Sequence, residues 1–244
     1  MAKILFRSFA LLVFLRGVVN AADLPIGTPV YAPAVVAPPT WEGIYVGLNL
    51  GGHWLIDQVS TTNLPNGGSS SGTNNAPGVV GGLQAGYNWQ FGNVVAGIEA
   101  DANVQTANAV RNDTAFALTN GINSPGFLLT VRPRLGWAFD HRTLVYATAG
   151  YAFETVQVED TVNIGQFVGS SVVGKQSGWT AGAGFEYAFT RGVSAKIEYL
   201  YLDLGTINST LLPGPAGVAA ANINVTHKLS DNIVRAGVNF HLGY

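Results

Sequence analysis

The sequence has no cysteine, which removes disulfides, thiol chemistry and thiolate metal sites from consideration. Charge is scarce as well: 11% of residues are Asp, Glu, Lys or Arg, against about 25% in an average soluble domain. A net charge of −2 leaves no basic stripe to neutralise phosphates, so a nucleic-acid binder is excluded. Beyond the amino-terminal segment no apolar run is long enough for a membrane-spanning helix. What remains is an apolar chain, 48% hydrophobic with 31 glycines, whose 244 residues suit one large β domain. That profile fits a β-barrel in lipid better than a soluble globule.

The carboxyl-terminal stretch shows the pattern most plainly. Val234, Ala236, Val238, Phe240, Leu242 and Tyr244 alternate with Arg235, Gly237, Asn239, His241 and Gly243. Period two is a strand with one apolar and one polar face, and a terminal aromatic suits a membrane interface. Seven further stretches alternate likewise: 42–54, 82–91, 94–104, 127–139, 143–154, 177–189 and 193–203. The expected fold is therefore all-β, an eight-stranded antiparallel up-and-down transmembrane barrel. Apart from Glu42 and Asp203 at the outermost positions of their stretches, no charged residue falls on the eight apolar faces. Nine fall on the opposite faces, namely Glu99, Asp101, Arg132, Arg134, Glu154, Glu186, Lys196, Glu198 and Arg235. Lipid explains this sorting, because an Arg or Lys facing mid-membrane hydrocarbon costs about 2–4 kcal/mol. A soluble barrel would turn the apolar faces inward.

The connections repeat the message. Short turns are expected at Gly92-Asn93, Asp140-His141-Arg142 and Thr190-Arg191-Gly192, on the periplasmic side. Long polar loops rich in Gly, Ser, Thr and Asn are expected outside the cell over 55–81, 105–126, 155–176 and 204–228. Aromatics gather at strand ends as interface anchors. Trp41, Trp89, Phe91, Trp137, Phe139, Tyr187, Phe189 and Tyr244 would form the periplasmic girdle. Trp54, Phe127, Tyr151, Phe153, Trp179 and Tyr201 would form the outer one. Pro133 lacks an N–H inside a sheet that has no edges, so a bulge is expected there.

The amino terminus has the features of a secretory signal over residues 1–21. Lys3 and Arg7 form its positive end, Ser8 to Leu15 its apolar stretch, and Val19-Asn20-Ala21 its cleavage site, with Arg16 an unusual interruption. Residues 22–40 are Pro-rich without period two and read as an extended periplasmic lead-in. The barrel is expected over 41–244.

Three motifs carry a family resemblance. Trp41-x-Gly43-x-Tyr45-x-Gly47-x-Asn49-x-Gly51, Lys196-x-Glu198-Tyr199-x-Tyr201-x-Asp203-Leu204-Gly205 and Arg235-x-Gly237-x-Asn239-Phe240 occur in order at strand positions. Over about 41–244 the chain resembles the outer-membrane immunogenic proteins of alphaproteobacteria, an offshoot of the OmpA-like eight-stranded barrels often labelled "porin family". The resemblance implies a surface antigen with a structural role in the outer membrane, and for some members haem binding or adhesion. Larger OmpA relatives carry a periplasmic peptidoglycan-binding domain, and this sequence ends at the barrel, so a direct cell-wall anchor is not expected.

The interior of an eight-stranded barrel is just wide enough for side chains to fill. Five acids and four bases point into it, and counting up from the short turns sets Glu99 level with Arg134 and Asp101 with Arg132. The expectation is a lumenal ion-pair network that plugs the barrel, since unpaired buried charge is costly. The alternatives are a small-solute porin, whose charges would line a constriction, and a haem-binding or adhesin protein acting through its loops. Gly68-Ser69-Ser70-Ser71-Gly72 matches the nucleophile-elbow pattern but lies in a Gly/Ser stretch without the strand-to-helix turn the motif requires. His53, His141, His227 and His241 lack metal-ligand spacing, although His53 and His227 fall near the outer rim. Three matches to the glycosylation acceptor, at Asn112, Asn208 and Asn224, read as ordinary loop polar groups. No cofactor and no catalytic group are expected. The expected partners are outer-membrane lipid and lipopolysaccharide, the barrel-assembly machinery through the carboxyl-terminal strand, and a host or environmental ligand at the loops.

Overall fold

The computed structural model describes residues 40–63, 67–114, 118–123, 126–163, 167–211 and 223–242. The expected leader at 1–21, the lead-in up to residue 39, and Tyr244 of the expected girdle lie outside them. Nine strands follow in order: β1 (Gly43–Asn63), β2 (Gly68–Phe91), β3 (Val94–Asp113), β4 (Leu118–Asn123), β5 (Gly126–Ala138), β6 (Thr143–Asn163), β7 (Phe167–Ala188), β8 (Val193–Leu211) and β9 (Ile223–Leu242). Except for β4 and β5, consecutive strands pair antiparallel, and β1 pairs with β9 from Ile44↔Leu242 to Asn63↔Ile223. Both β4 and β5 lie between β3 and β6, so they occupy one position in the ring. Through the belt the result is an eight-stranded antiparallel ring with no free edge, which leaves no strand amide there to face hydrocarbon. Above it, within the described residues, 68–77 of β2 pair only with β1 and 167–178 of β7 only with β6.

Ile44, Val46, Leu48 and Leu50 of β1, Leu83 of β2, Leu135 of β5, Ile197 of β8 and Leu242 of β9 are exposed large apolar side chains. They belong to a continuous outward belt. Trp89, Phe91, Trp137, Phe139 and Phe189 border it at the end of the short turns, and Trp54, Phe127, Tyr151 and Trp179 at the other. Trp41 corrects the expected girdle. It is 1% exposed and packs with Val95, Ala138, Leu144, Tyr146 and Ala188 inside the periplasmic mouth. The cause is parity: Trp41 falls in step with Tyr45 and Asn49, which face the lumen.

The strands do not stop at the outer girdle. The segments expected as long polar loops are largely strand, because the period-two pattern continues through their Ser, Thr, Asn and Gly residues. β1 extends to Asn63 against Gly68 of β2, and β6 to Asn163 against Phe167 of β7. Above the girdle the polarity of the sheet inverts. Leu55 and Val59 of β1 face inward, whereas Gln58 and Ser60 face water. Leu55, Val80, Leu128, Val156, Leu202, Leu229 and Ile233 belong to a cluster of buried side chains that fills the upper lumen.

Pro133 produces no bulge. The register between β5 and β6 is the same on either side of it, with Val131↔Tyr151 and Arg134↔Thr148. Two pairs, at Arg132 and Pro133, are skipped while the Thr148 hydroxyl donates to the Pro133 carbonyl at 2.9 Å, and the strand stays in step. The register shift lies instead at Asp203/Gly205 in β8, where Gly205 has φ +77° and its N–H donates to Asp203 Oδ1 at 3.0 Å.

The inversion at the girdle predicts where charge is tolerated. Leu48→Arg, in the belt, is expected to destabilise the vesicle-embedded barrel by about 2–4 kcal/mol. Gln58→Arg, above the belt, should change stability by less than about 0.5 kcal/mol. Urea titrations of both variants in vesicles check the pair, and equal effects would contradict the boundary.

Candidate functional site

Among the described residues, the lumen is where this chain concentrates its buried charge. Period two turns alternate residues of every strand inward, and the belt keeps those residues from water. The resulting site is a stack of polar and apolar layers. Along β9 from its periplasmic end, the buried residues run His241, Asn239, Gly237, Arg235, Ile233, Asp231, Leu229, His227, Val225 and Ile223.

The lowest polar layer contains eight of the nine charges named from the sequence. Arg132 Nη2 donates to Glu99 Oε1 and to Asp101 Oδ2, both at 2.7 Å, and its Nη1 lies 3.3 Å from Glu198. Arg235 donates to Glu198 Oε2 from Nε at 2.9 Å and from Nη2 at 2.7 Å, and reaches Asp101 at 3.0–3.2 Å. Lys196, from the opposite wall, donates to both oxygens of Glu99 at 2.8 Å. Arg134 pairs with Glu186 at 2.8 Å and lies between two aromatic rings, its guanidinium carbon 4.2 Å from the centroid of Tyr146 and 5.4 Å from that of Tyr45. Their hydroxyls complete the layer, Tyr45 donating to Glu99 at 2.8 Å and Tyr146 to Glu198 at 3.0 Å. The joined groups are Glu99, Asp101, Glu186 and Glu198 against Arg132, Arg134, Lys196 and Arg235, so acids and bases balance.

Glycine makes the room. A side chain at Gly86 would collide with the Tyr45 ring, and one at Gly184 with the Tyr146 ring. The two tyrosines therefore reach the lumen centre only because their cross-strand neighbours carry no Cβ.

Glu154 stands apart from these eight. It accepts a hydrogen bond from Gln105 in the layer above, where His53 Nδ1 lies 2.8 Å from Asp231 and its Nε2 lies 3.0 Å from the Thr106 carbonyl. The height count also differs from the structure. Glu99 sits opposite Arg132, and Gly97 opposite Arg134. Heights taken from two separate turns do not compare directly in a sheared barrel, where each strand is offset along its neighbour.

The third polar layer escaped the sequence reading, because its residues lay in segments taken for loops. His227 of β9 bridges the lumen, with Nδ1 2.9 Å from Asp57 of β1 and Nε2 3.2 Å from Asp160 of β6. Asn120 and Ser209 donate to Asp160 at 2.7 Å each. Around the ring, β1 and β6 are diametrically opposite. This layer lies beyond the outer girdle. Burial opposes the charge on His227, and the carboxylates of Asp160 and Asp57 outweigh it, raising the imidazole from 6.5 to about 9. The signal available in the sequence was parity: Asp57, Asp160 and His227 each fall on the inward-facing alternate of a strand that continues past the girdle.

The remaining motifs have plain placements. Ser70 lies near the start of β2, opposite Thr61, and is followed by strand and not by a helix. His53 and His227 are 1% and 0% exposed, and both ring nitrogens of each are engaged. No group of three or more His, Cys, Asp or Glu suited to a metal ion occurs among the described residues.

A closed ring with an apolar belt, aromatic borders and a charge-paired lumen defines a transmembrane β-barrel of the outer-membrane type. The comparisons extend this to a family. The family model described as "Outer membrane protein beta-barrel domain" matches residues 29–241. The 31 kDa outer-membrane immunogenic protein of Brucella melitensis biotype 1 is 33% identical, the match covering 90% of this chain and 92% of that protein. The 25 kDa outer-membrane immunogenic protein of Brucella abortus biovar 1 is 28% identical, covering 96% and 94%. Among solved structures, the outer membrane protein OprG from Pseudomonas aeruginosa superposes with a TM-score of 0.51 at 12% identity, covering 82% of this chain and 98% of that one, a likeness of fold. The chain belongs to the outer-membrane β-barrel family that includes these immunogenic proteins, and its place is the outer membrane.

Two outcomes test the layers. Arg235→Ala leaves Glu198 and Asp101 short of a partner and is expected to cost about 3–5 kcal/mol. Replacing Arg235 and Glu198 together, by Met and Gln, should cost less than the sum of the single changes, as urea titration of the double-mutant cycle will show. The His227 clasp is sensitive to alkali. Its folded pKa of about 9 exceeds the unfolded 6.5, so its stabilisation is complete below about pH 6.5 and lost as pH rises through 9. Hydrogen exchange in 55–63 and 223–229, corrected for intrinsic rates, should therefore be faster at pH 10 than at pH 7 in the wild type. A His227→Gln variant should show little further change.

Proposed function

We propose that this protein is a non-conducting structural barrel and surface antigen whose lumen is plugged by its own ion pairs. The observation that carries the reading is the balanced eight-residue network, with both partners of every short pair buried. An apolar cluster lies on each side of it. Trp41, Val95, Ala138, Leu144, Tyr146 and Ala188 close the periplasmic end, and the cluster around Leu55, Leu202 and Leu229 fills the lumen above. Water and ions crossing the barrel would have to displace both clusters and separate the pairs between them. The mechanism is mechanical: the belt anchors the sheet in lipid, the network ties opposite walls, and the strand extensions present a polar surface outside the cell.

Its partners on this reading are the lipids of the outer membrane, including lipopolysaccharide in the outer leaflet, and the barrel-assembly machinery acting on β9. An adhesin role would use the extensions and their connecting turns. A haem role through His53 or His227 gains no support from the geometry, since neither ring has a nitrogen to spare.

Planar-bilayer recording tests the plug. Pure protein is expected to give no sustained conductance, and Arg132→Ala combined with Leu202→Gly should introduce brief openings. Steady, large conductance from the unmodified protein would replace the plug with the porin reading.

A further inference from the structure

The outer wall above the girdle differs in chemistry from the belt beneath it. A groove of about 380 Å³ lies on β9, β1 and β2, and Gln58, Ser60, Ser71, Thr73, Thr226 and Lys228 are among its lining residues. Apart from Lys228 these side chains are neutral donors and acceptors. Lys228 is exposed and bonds no described residue. It pairs in register with Gln58 on one side and Thr206 on the other. The nearest outward acid in register is Asp203, opposite Ser230, and one of its oxygens is engaged by the Gly205 N–H.

Height determines what such a groove meets. Asn232 of β9 is flanked in register by Trp54 and Tyr201, residues of the outer girdle. Lys228 lies four residues beyond Asn232 on the same strand, which for a tilted strand is a rise of roughly 10 Å. The groove therefore stands where headgroups stand when the acyl chains lie against the belt. Neutral hydroxyls and amides at strand spacing suit sugar hydroxyls, and a lone unpaired ammonium at their lower edge suits a phosphate.

We propose that this groove holds the phosphorylated sugar headgroup of lipopolysaccharide in the outer leaflet, with Lys228 on a phosphate and the Ser, Thr and Gln side chains on the adjoining sugar. The inference rests on the reading of the belt as lipid-embedded, and gives one of its lipid partners a site. A glycerophospholipid would supply the phosphate but no sugar ring to span the hydroxyl wall, so the groove distinguishes the two.

The test uses the whole barrel refolded in detergent micelles, with the shift between heated and unheated gel mobility as the check on folding. The probes are purified rough-type lipopolysaccharide, the same material dephosphorylated, and phosphatidylglycerol. Lys228→Glu is expected to weaken lipopolysaccharide binding about tenfold. Dephosphorylating the probe should weaken wild-type binding similarly and leave the variant unaffected. Thr226→Val should weaken lipopolysaccharide but not phosphatidylglycerol. Equal affinities for wild type and Lys228→Glu, or equal affinities for the two lipids, would overturn the site. Conductance of the same preparations, read separately, shows whether the plugged-barrel reading stands when the groove fails.

Discussion

Hydrocarbon offers a polar group nothing to bond, and this one constraint organises the molecule. A backbone amide in the membrane must find its partner in the neighbouring strand, so the sheet closes on itself. A charged side chain on the outer face would be stranded, so every charge in the spanning region points inward. The inside is barely more forgiving. It is lined with packed side chains, and a charge there loses its hydration unless a counter-charge stands within bonding distance. The eight joined residues answer that demand with equal numbers of each sign. They also spread each charge over several partners: Glu99 is met by Arg132, Lys196 and Tyr45, from three different strands.

The same argument with water in place of lipid explains the upper half. Beyond the girdle the outer face of the sheet is wet, and apolar side chains gain by turning inward. The strands keep their parity and exchange their chemistry. In β1 the change falls between Trp54, which faces out, and Leu55, which faces in. In β9 it falls between Ile233, inside, and Val234, outside. One continuous sheet thus behaves as a membrane barrel below and turns its apolar side chains inward above, with its core moved from the lipid to the lumen.

The lower half was legible because lipid imposes a single rule there, alternation with charges excluded from one face. Leu48, Val131 and Val238 announce their orientation by that rule, and so do Arg132 and Arg235. The upper half obscures the rule in two ways. Both faces become partly polar, since lumenal Asp57 and Asp160 alternate with wall residues such as Gln58 and Glu159. The apolar phase also shifts by one residue where two apolar residues adjoin, as at Trp54-Leu55. That adjacency was itself the signal. Two apolar residues in succession within a strand mark a boundary between surroundings, and reading them so would have extended β1 and β9 and brought His227 into view. Trp41 was misplaced for a related reason. Residue type suggested an interface anchor, whereas parity with Tyr45 placed it inside, and parity is the geometric constraint. The pairing of Glu99 with Arg132 was not legible, because strand offsets are fixed by closure of the whole ring and not by any one turn.

Layering ties these features into one device. The charge layer is insulated above and below by apolar clusters, and removal from water strengthens each correctly made pair while making each missing one costly. Such a layer tolerates little displacement, so its geometry has to be held by something other than the charges. Gly86 and Gly184 supply this by letting Tyr45 and Tyr146 lie flat across neighbouring strands, where both rings pack near the Arg134 guanidinium and both hydroxyls reach acids of the layer. Backbone closure positions the glycines, the glycines seat the tyrosines, and the tyrosines orient the charges. The lumenal packing is thus specified from the sheet inward, and the network is the end of that chain of constraints rather than its cause.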